Sequence, residues 1–228
     1  MSLIKFMHSL GKGEVESNLL KTMLLSLAVS FITFVVIYFL QLKTIEDFIP
    51  TYGFFFFFSF LTYALILPST KHVKAYKEFP CMSGMMIGMT IGMISGFLPG
   101  FYVGSTNGMF YGSVFGMAVG ILFGIWNGKC CGIMGAMEGI MAGFMGGIMG
   151  AMTSLMMFND HLKAMGIIVF LISSVIVFKL NYLIYKESHQ LEKNSIEGNF
   201  TTILWSFLLA VFTIWFIVYG PRGGLLLQ

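Results

Sequence analysis

Long apolar runs separated by short polar links set the plan of this chain. Crossing a bilayer takes about 20 apolar residues. Seven runs approach or exceed that length: Leu19–Leu42, Phe48–Pro68, Met82–Pro99, Gly108–Trp126, Gly132–Phe158, Leu162–Tyr185 and Phe200–Tyr219. Turns are expected at Pro99, at Ser105-Thr106-Asn107, at Asn127-Gly128-Lys129 and at Asn159-Asp160, where turn-forming residues interrupt the apolar pattern. The pattern predicts an all-α, polytopic membrane protein of about seven transmembrane helices, with 1–228 as one membrane domain and 1–18 as an amphipathic cytoplasmic segment before the first span.

The runs are of two kinds. The first, second, sixth and seventh are rich in Phe, Ile, Leu and Val, as lipid-facing helices are. The middle three, residues 81–158, form a Gly/Met-rich core that the other four wrap. From Gly84 to Gly132 every fourth residue is glycine, thirteen in unbroken register. Residues four apart lie on adjoining turns of one helix face, and glycine there lets backbones approach closely in lipid. The same middle runs hold fifteen of the nineteen methionines.

Composition agrees with a membrane setting. Only 10% of residues are charged, against about 25% in soluble domains. The net charge is +3 and no basic run suggests nucleic acid. Lysine placement orients the spans. With the N-terminus in the cytoplasm, ten basic residues (Lys5, Lys12, Lys21, Lys71, Lys74, Lys77, Lys129, Lys179, Lys186, Lys193) fall at inner ends and three (Lys43, Lys163, Arg222) at outer ends. The expected location is the plasma membrane. The segment from Lys71 to Lys77 reads as a headgroup anchor, and His8, His72 and His189, in charged segments, as solvated.

On a helical wheel the fifth run has two faces. Met134, Met137, Met141, Met145, Met149, Met152 and Met156 fall within an arc of about 120°. Cys130, Cys131 and Glu138 lie in or beside that arc, and the glycines occupy the opposite one. The third run repeats the idea with Met82, Met85, Met86, Met89 and Met93, and with Cys81 at its cytoplasmic end. At the opposite end of the fifth run stand Met156, Met157, Asp160 and His161. Thioether and thiolate sulfur favour Cu(I) over hard divalent ions. An outer Met/His cluster, a methionine ladder and an inner thiol cluster would form an inward gradient of affinity, because Cys binds more tightly than Met. Adaptable packing is what a methionine stripe usually provides; two stripes with thiols at matching ends favour metal. Glu138, the one acid inside a span, is a functional candidate, since an intramembrane carboxylate is costly. Its structural alternative is a partner for Lys129 or a backbone amide. Asp160 is expected to cap the sixth helix, and His161 to serve as a ligand.

These residues resemble the Ctr-type copper transporters, whose signature is MxxxM in one span and GxxxG in the next. Here MxxxM occurs at Met82/Met86, Met85/Met89, Met89/Met93, Met137/Met141, Met141/Met145, Met145/Met149 and Met152/Met156. The resemblance implies that these methionines coordinate Cu(I) along a pathway and that the glycines permit tight packing. It is one of motif: the family has three spans, this chain about seven. The expected function is a Cu(I) transporter or channel with lipid, the metal ion, a copper chaperone and a second copy of the chain as partners. The alternative is a glycine-zipper protein that oligomerises or shapes the bilayer without metal. An enzyme is not expected, because the chain has no CxxC, HExxH or GxSxG, and its glycines lack the GK[ST] ending of a phosphate loop.

Overall fold

The computed structural model describes residues 16–40, 48–75, 80–129, 132–157, 160–188 and 199–220. They form seven helices: α1 Glu16–Leu40, α2 Phe48–Lys74, α3 Cys81–Asn107, α4 Met109–Gly128, α5 Gly132–Met156, α6 Leu162–Ser188 and α7 Asn199–Tyr219. The helices from α2 to α7 are long and apolar enough to cross a membrane, and α1 has a shorter apolar stretch, Lys21–Ile37. The protein is an all-helical, multi-pass membrane protein.

Two expected turns, Pro99 and Ser105-Thr106-Asn107, lie inside α3 instead, and α2 runs on past Pro68, the expected end of the second run, to Lys74. Proline is tolerated within membrane helices because neighbouring groups re-satisfy the backbone it frees. Ser105, Thr106 and Asn107 form the buried last turn of α3. Their polar groups are taken up locally: Ser105 donates to the Tyr102 carbonyl at 2.7 Å, Thr106 to that of Val103 at 3.0 Å, and Asn107 Nδ2 to that of Phe216 in α7 at 2.6 Å. The reversal between α3 and α4 rests on Gly108 alone, at φ 92° and ψ 171°, a conformation essentially confined to glycine.

Helices α3, α4 and α5 close on one another through bare backbone. A Cβ added to Gly88 would stand 2.9 Å from Gly128 Cα and 3.1 Å from Gly135 O. One added to Gly92 would meet Gly139 O at 2.8 Å and Gly124 Cα at 3.2 Å; Gly96 would meet Gly143 O at 2.8 Å and Gly116 O at 3.2 Å; Gly100 would meet Gly147 O at 2.8 Å and Gly112 O at 3.4 Å. Gly104 completes the stack against Ala151 and Gly112. The layers make α3 and α5 parallel and α4 antiparallel to both. In lipid, where burying apolar area gives little, van der Waals packing of this kind holds helices together. The middle of this three-helix core is therefore filled by main chain, with no lumen between the helices.

The other helices pack against this core from one side. α2 touches α1, α3, α6 and α7, and α3 also meets α6 and α7, whereas α5 makes extensive contact with α3 and α4 alone. Aromatic side chains fill the joins: Phe58 meets Tyr102 and Phe170, and Phe115 meets Phe216. Tyr63 of α2 and Thr213 of α7 share a buried hydroxyl hydrogen bond. Mid-helix threonines return their hydroxyls to the preceding turn, as Thr33 does to Val29 O and Thr62 to Phe58 O, so these hydroxyls are satisfied within their own helices.

A candidate methionine face on α3 and α5

The 3.6-residue repeat sorts α5 into the two predicted faces. Gly135, Gly139, Gly143, Gly146, Gly147 and Gly150 are buried. Met134, Met137, Met141, Met145, Met149, Met152 and Met156 are 41–67% exposed. On α3, Met82, Met86, Met89 and Met93 are 39–77% exposed, and Met85 is half-buried. The two sulfur-bearing faces border each other. The main chain of Met93 is what a Cβ on Gly146 would meet, with Met93 Cα at 3.1 Å. Because the outer helices lie on the far side of the core, they leave this face uncovered. The methionines thus line the outside of the glycine core.

The rest of the surface differs. The exposed apolar positions of α6 are Ile167, Ile168, Leu171, Ile172, Val175, Ile176 and Phe178, and those of α7 include Phe200, Leu204, Phe207 and Phe212. Neither helix exposes a methionine among the described residues. Helix wheels predict the two faces of α5; which face the other helices cover is a property of the assembled molecule and was not readable from one helix.

Glu138 is half-buried beside the α5 methionines. Among the described residues its carboxylate has no hydrogen bond and no ion pair, so Lys129, exposed at the end of α4, is not its partner. At the far end of α5 lie Met156 and Met157, and Asp160 N donates to Met157 O at 3.0 Å. Asp160 and His161 are exposed there. His161, at φ 43°, accepts the first helical bond of α6 from Met165 N at 3.1 Å. It therefore holds the cap position expected of Asp160, which stands one residue earlier. Cys130 and Cys131 lie outside the described residues, as do His8, His189 and the side chain of Cys81. Among the described residues no three His, Cys, Asp or Glu gather as a metal site.

His72 departs from expectation. It is 3% exposed, because α2 continues past Pro68 and turns it inward. Its Nδ1 lies 3.2 Å from Asn181 Oδ1 in α6, and Asn181 Nδ2 donates to Ser69 Oγ at 2.9 Å. This buried polar group ties α2 to α6. Sequence reading missed it because Lys71 and Lys74 flank the histidine and suggest water.

No protein-family model, no curated protein and no solved structure matches the chain.

Proposed function

We propose that the protein handles Cu(I) within the membrane, as a transporter or channel that uses the methionine faces of α3 and α5. One observation carries the reading: methionine is concentrated on the exposed sides of α3 and α5, while the exposed sides of α6 and α7 use Ile, Leu, Val, Phe and Trp. Neither packing nor lipid contact requires sulfur there, and thioethers are soft ligands suited to Cu(I). Neutral Met ligands release no proton on binding, so an ion can step between the i, i+4 pairs of either ladder. Glu138 would offset the charge of a monovalent ion, which is expensive in hydrocarbon. A ladder that faced lipid would leave the ion half-wrapped. Methionine face against methionine face in two copies would enclose it, with Cys81, Cys130 and Cys131 receiving the ion at the lysine-rich end. In this reading that end is cytoplasmic and the membrane is the plasma membrane.

The test is joint replacement of Met137, Met141, Met145 and Met149 by Leu, which keeps volume and apolarity nearly constant. The variant should purify as the parent does, while Cu(I) or Ag(I) bound under reducing conditions falls several-fold. Unchanged metal content, measured by elemental analysis, would leave the metal-free structural reading in its place.

A further inference from the structure

The glycines fix the register between α3 and α5. Cβ atoms added to Gly88, Gly92, Gly96 and Gly100 would meet the carbonyl oxygens of Gly135, Gly139, Gly143 and Gly147, all at 2.8–3.1 Å. The two parallel helices therefore keep step over four successive turns. A second row runs beside this seam. In it the main chain of Met93 lies against Gly146 and that of Phe97 against Gly150. Moving back by four residues on both helices keeps the same faces and brings Ala142 to Met89, then Glu138 to Met85. Burial agrees with this row. Ala142 is 6% exposed, and Met85 and Glu138 are both half-buried, whereas Met82, Met86, Met134 and Met137 are 55–77% exposed.

Glu138 is the only charged residue of α3, α4 and α5, which hold no other acid and no Lys, Arg or His. Its carboxylate has no hydrogen bond and no ion pair among the described residues. It stands six residues past Gly132, nearly two turns in from the lysine-rich end of α5, where a bare charge is costly. The row sets it opposite Met85, with Met89 one turn further along α3. On its own helix Met134 and Met141 are its neighbours at i−4 and i+3. One carboxylate among four thioethers suits a soft, monovalent cation: sulfur supplies the soft donors and the single negative charge balances a single positive one.

We infer that the groove between α3 and α5 at this level seats one Cu(I) ion within a single copy of the chain, with Met85, Met89, Met134 and Met141 as sulfur donors and Glu138 as countercharge. The inference rests on the copper reading above and narrows it. The ladder then has one preferred stop, flanked by two helices of the same chain before any second copy is added.

Two measurements on the full-length protein in detergent test this, both in a background with Cys81, Cys130 and Cys131 changed to Ser. The first needs no metal. Met85→Cys with Glu138→Cys should be joined within one chain by a short bifunctional thiol reagent and found as a linked peptide pair by mass spectrometry. Met86→Cys with Glu138→Cys, one residue away on the outer side, should be joined far less. Equal joining of the two pairs, or joining of neither, would overturn the register. The second is a titration with Ag(I), a redox-stable stand-in for Cu(I). The tightest step should take up one ion per chain. Glu138→Gln should weaken that step about 10–100-fold, the loss usual when a group supporting a metal ion is removed, and Met85→Leu with Met89→Leu at least as much. Met109→Leu, an exposed methionine of α4 outside the groove, should leave it unchanged. Silver binding that is the same in the parent and in both groove variants would overturn this site and leave the copper reading standing. A parent that binds no silver would overturn the copper reading and this site with it.

Discussion

One added methyl group separates the two kinds of position on α5. A Cβ on Gly139 or Gly124 would overlap the carbonyl group of the glycine facing it. Both positions lie in the backbone of rigid helices, so nothing nearby can give way. Overpacking of this kind costs about 1–3 kcal/mol for small additions and more for large ones. We therefore expect Gly139→Ala to lower the temperature at which the protein loses monodispersity in detergent, and Gly139→Leu to prevent recovery of folded protein. Met141→Leu, at a position 63% exposed, should change neither. Equal tolerance of the glycine and methionine substitutions, read by size exclusion after heating, would contradict the glycine layers. This division was legible in the sequence, because spacing of three and four residues maps directly onto a helix face. The burial of His72 was not. Its charged neighbours argued for solvent, and only the continuation of α2 past Pro68 shows that successive helical residues point in different directions.

At the scale of elements, the junction of α3 and α4 is where reading and structure part. Proline is a strong breaker in water, and Pro99 was the natural place to end a helix. In α3 it is embedded among other helices and the helix continues. The true break, Gly108, opens the expected fourth run directly after Ser105-Thr106-Asn107; its polar neighbours mark it, while its spacing, shared with the packing glycines, does not. Its dihedral angles do, and these depend on how two helices must meet. Ala at Gly108 would be held in a conformation costing about 1–3 kcal/mol. Gly108→Ala should accordingly lower thermal stability in detergent, whereas Pro99→Ala, which restores an N–H to a helical position, should leave it equal or higher. The opposite ranking would move the break back to Pro99.

For the whole molecule, the question is which end faces which side. The sequence argued orientation from ten basic residues against three, a count that holds only if the number of spans is right. The structure supplies an independent constraint. Lys74 of α2, Trp126 of α4 and Trp205 of α7 meet at one end, while Gly108 and the contact of Asn107 with Phe216 lie at the other. The helices therefore alternate as the lysine count requires, and Lys129 and His161 stand at opposite ends of the α5 bundle. Covering of the methionine face could not be read from sequence at all, because it depends on where four other helices settle. In a background with Cys81, Cys130 and Cys131 changed to Ser, Lys129→Cys should react with a membrane-impermeant thiol reagent only from the cytoplasmic side, and His161→Cys only from outside. Both positions are exposed, so access is not limited by burial. Labelling of both from one side would mean that α5 does not cross the membrane. Exchange of the two sides would keep the fold and reverse the proposed direction of metal movement, because the thiols would then stand on the outer surface and the His161 turn on the inner one.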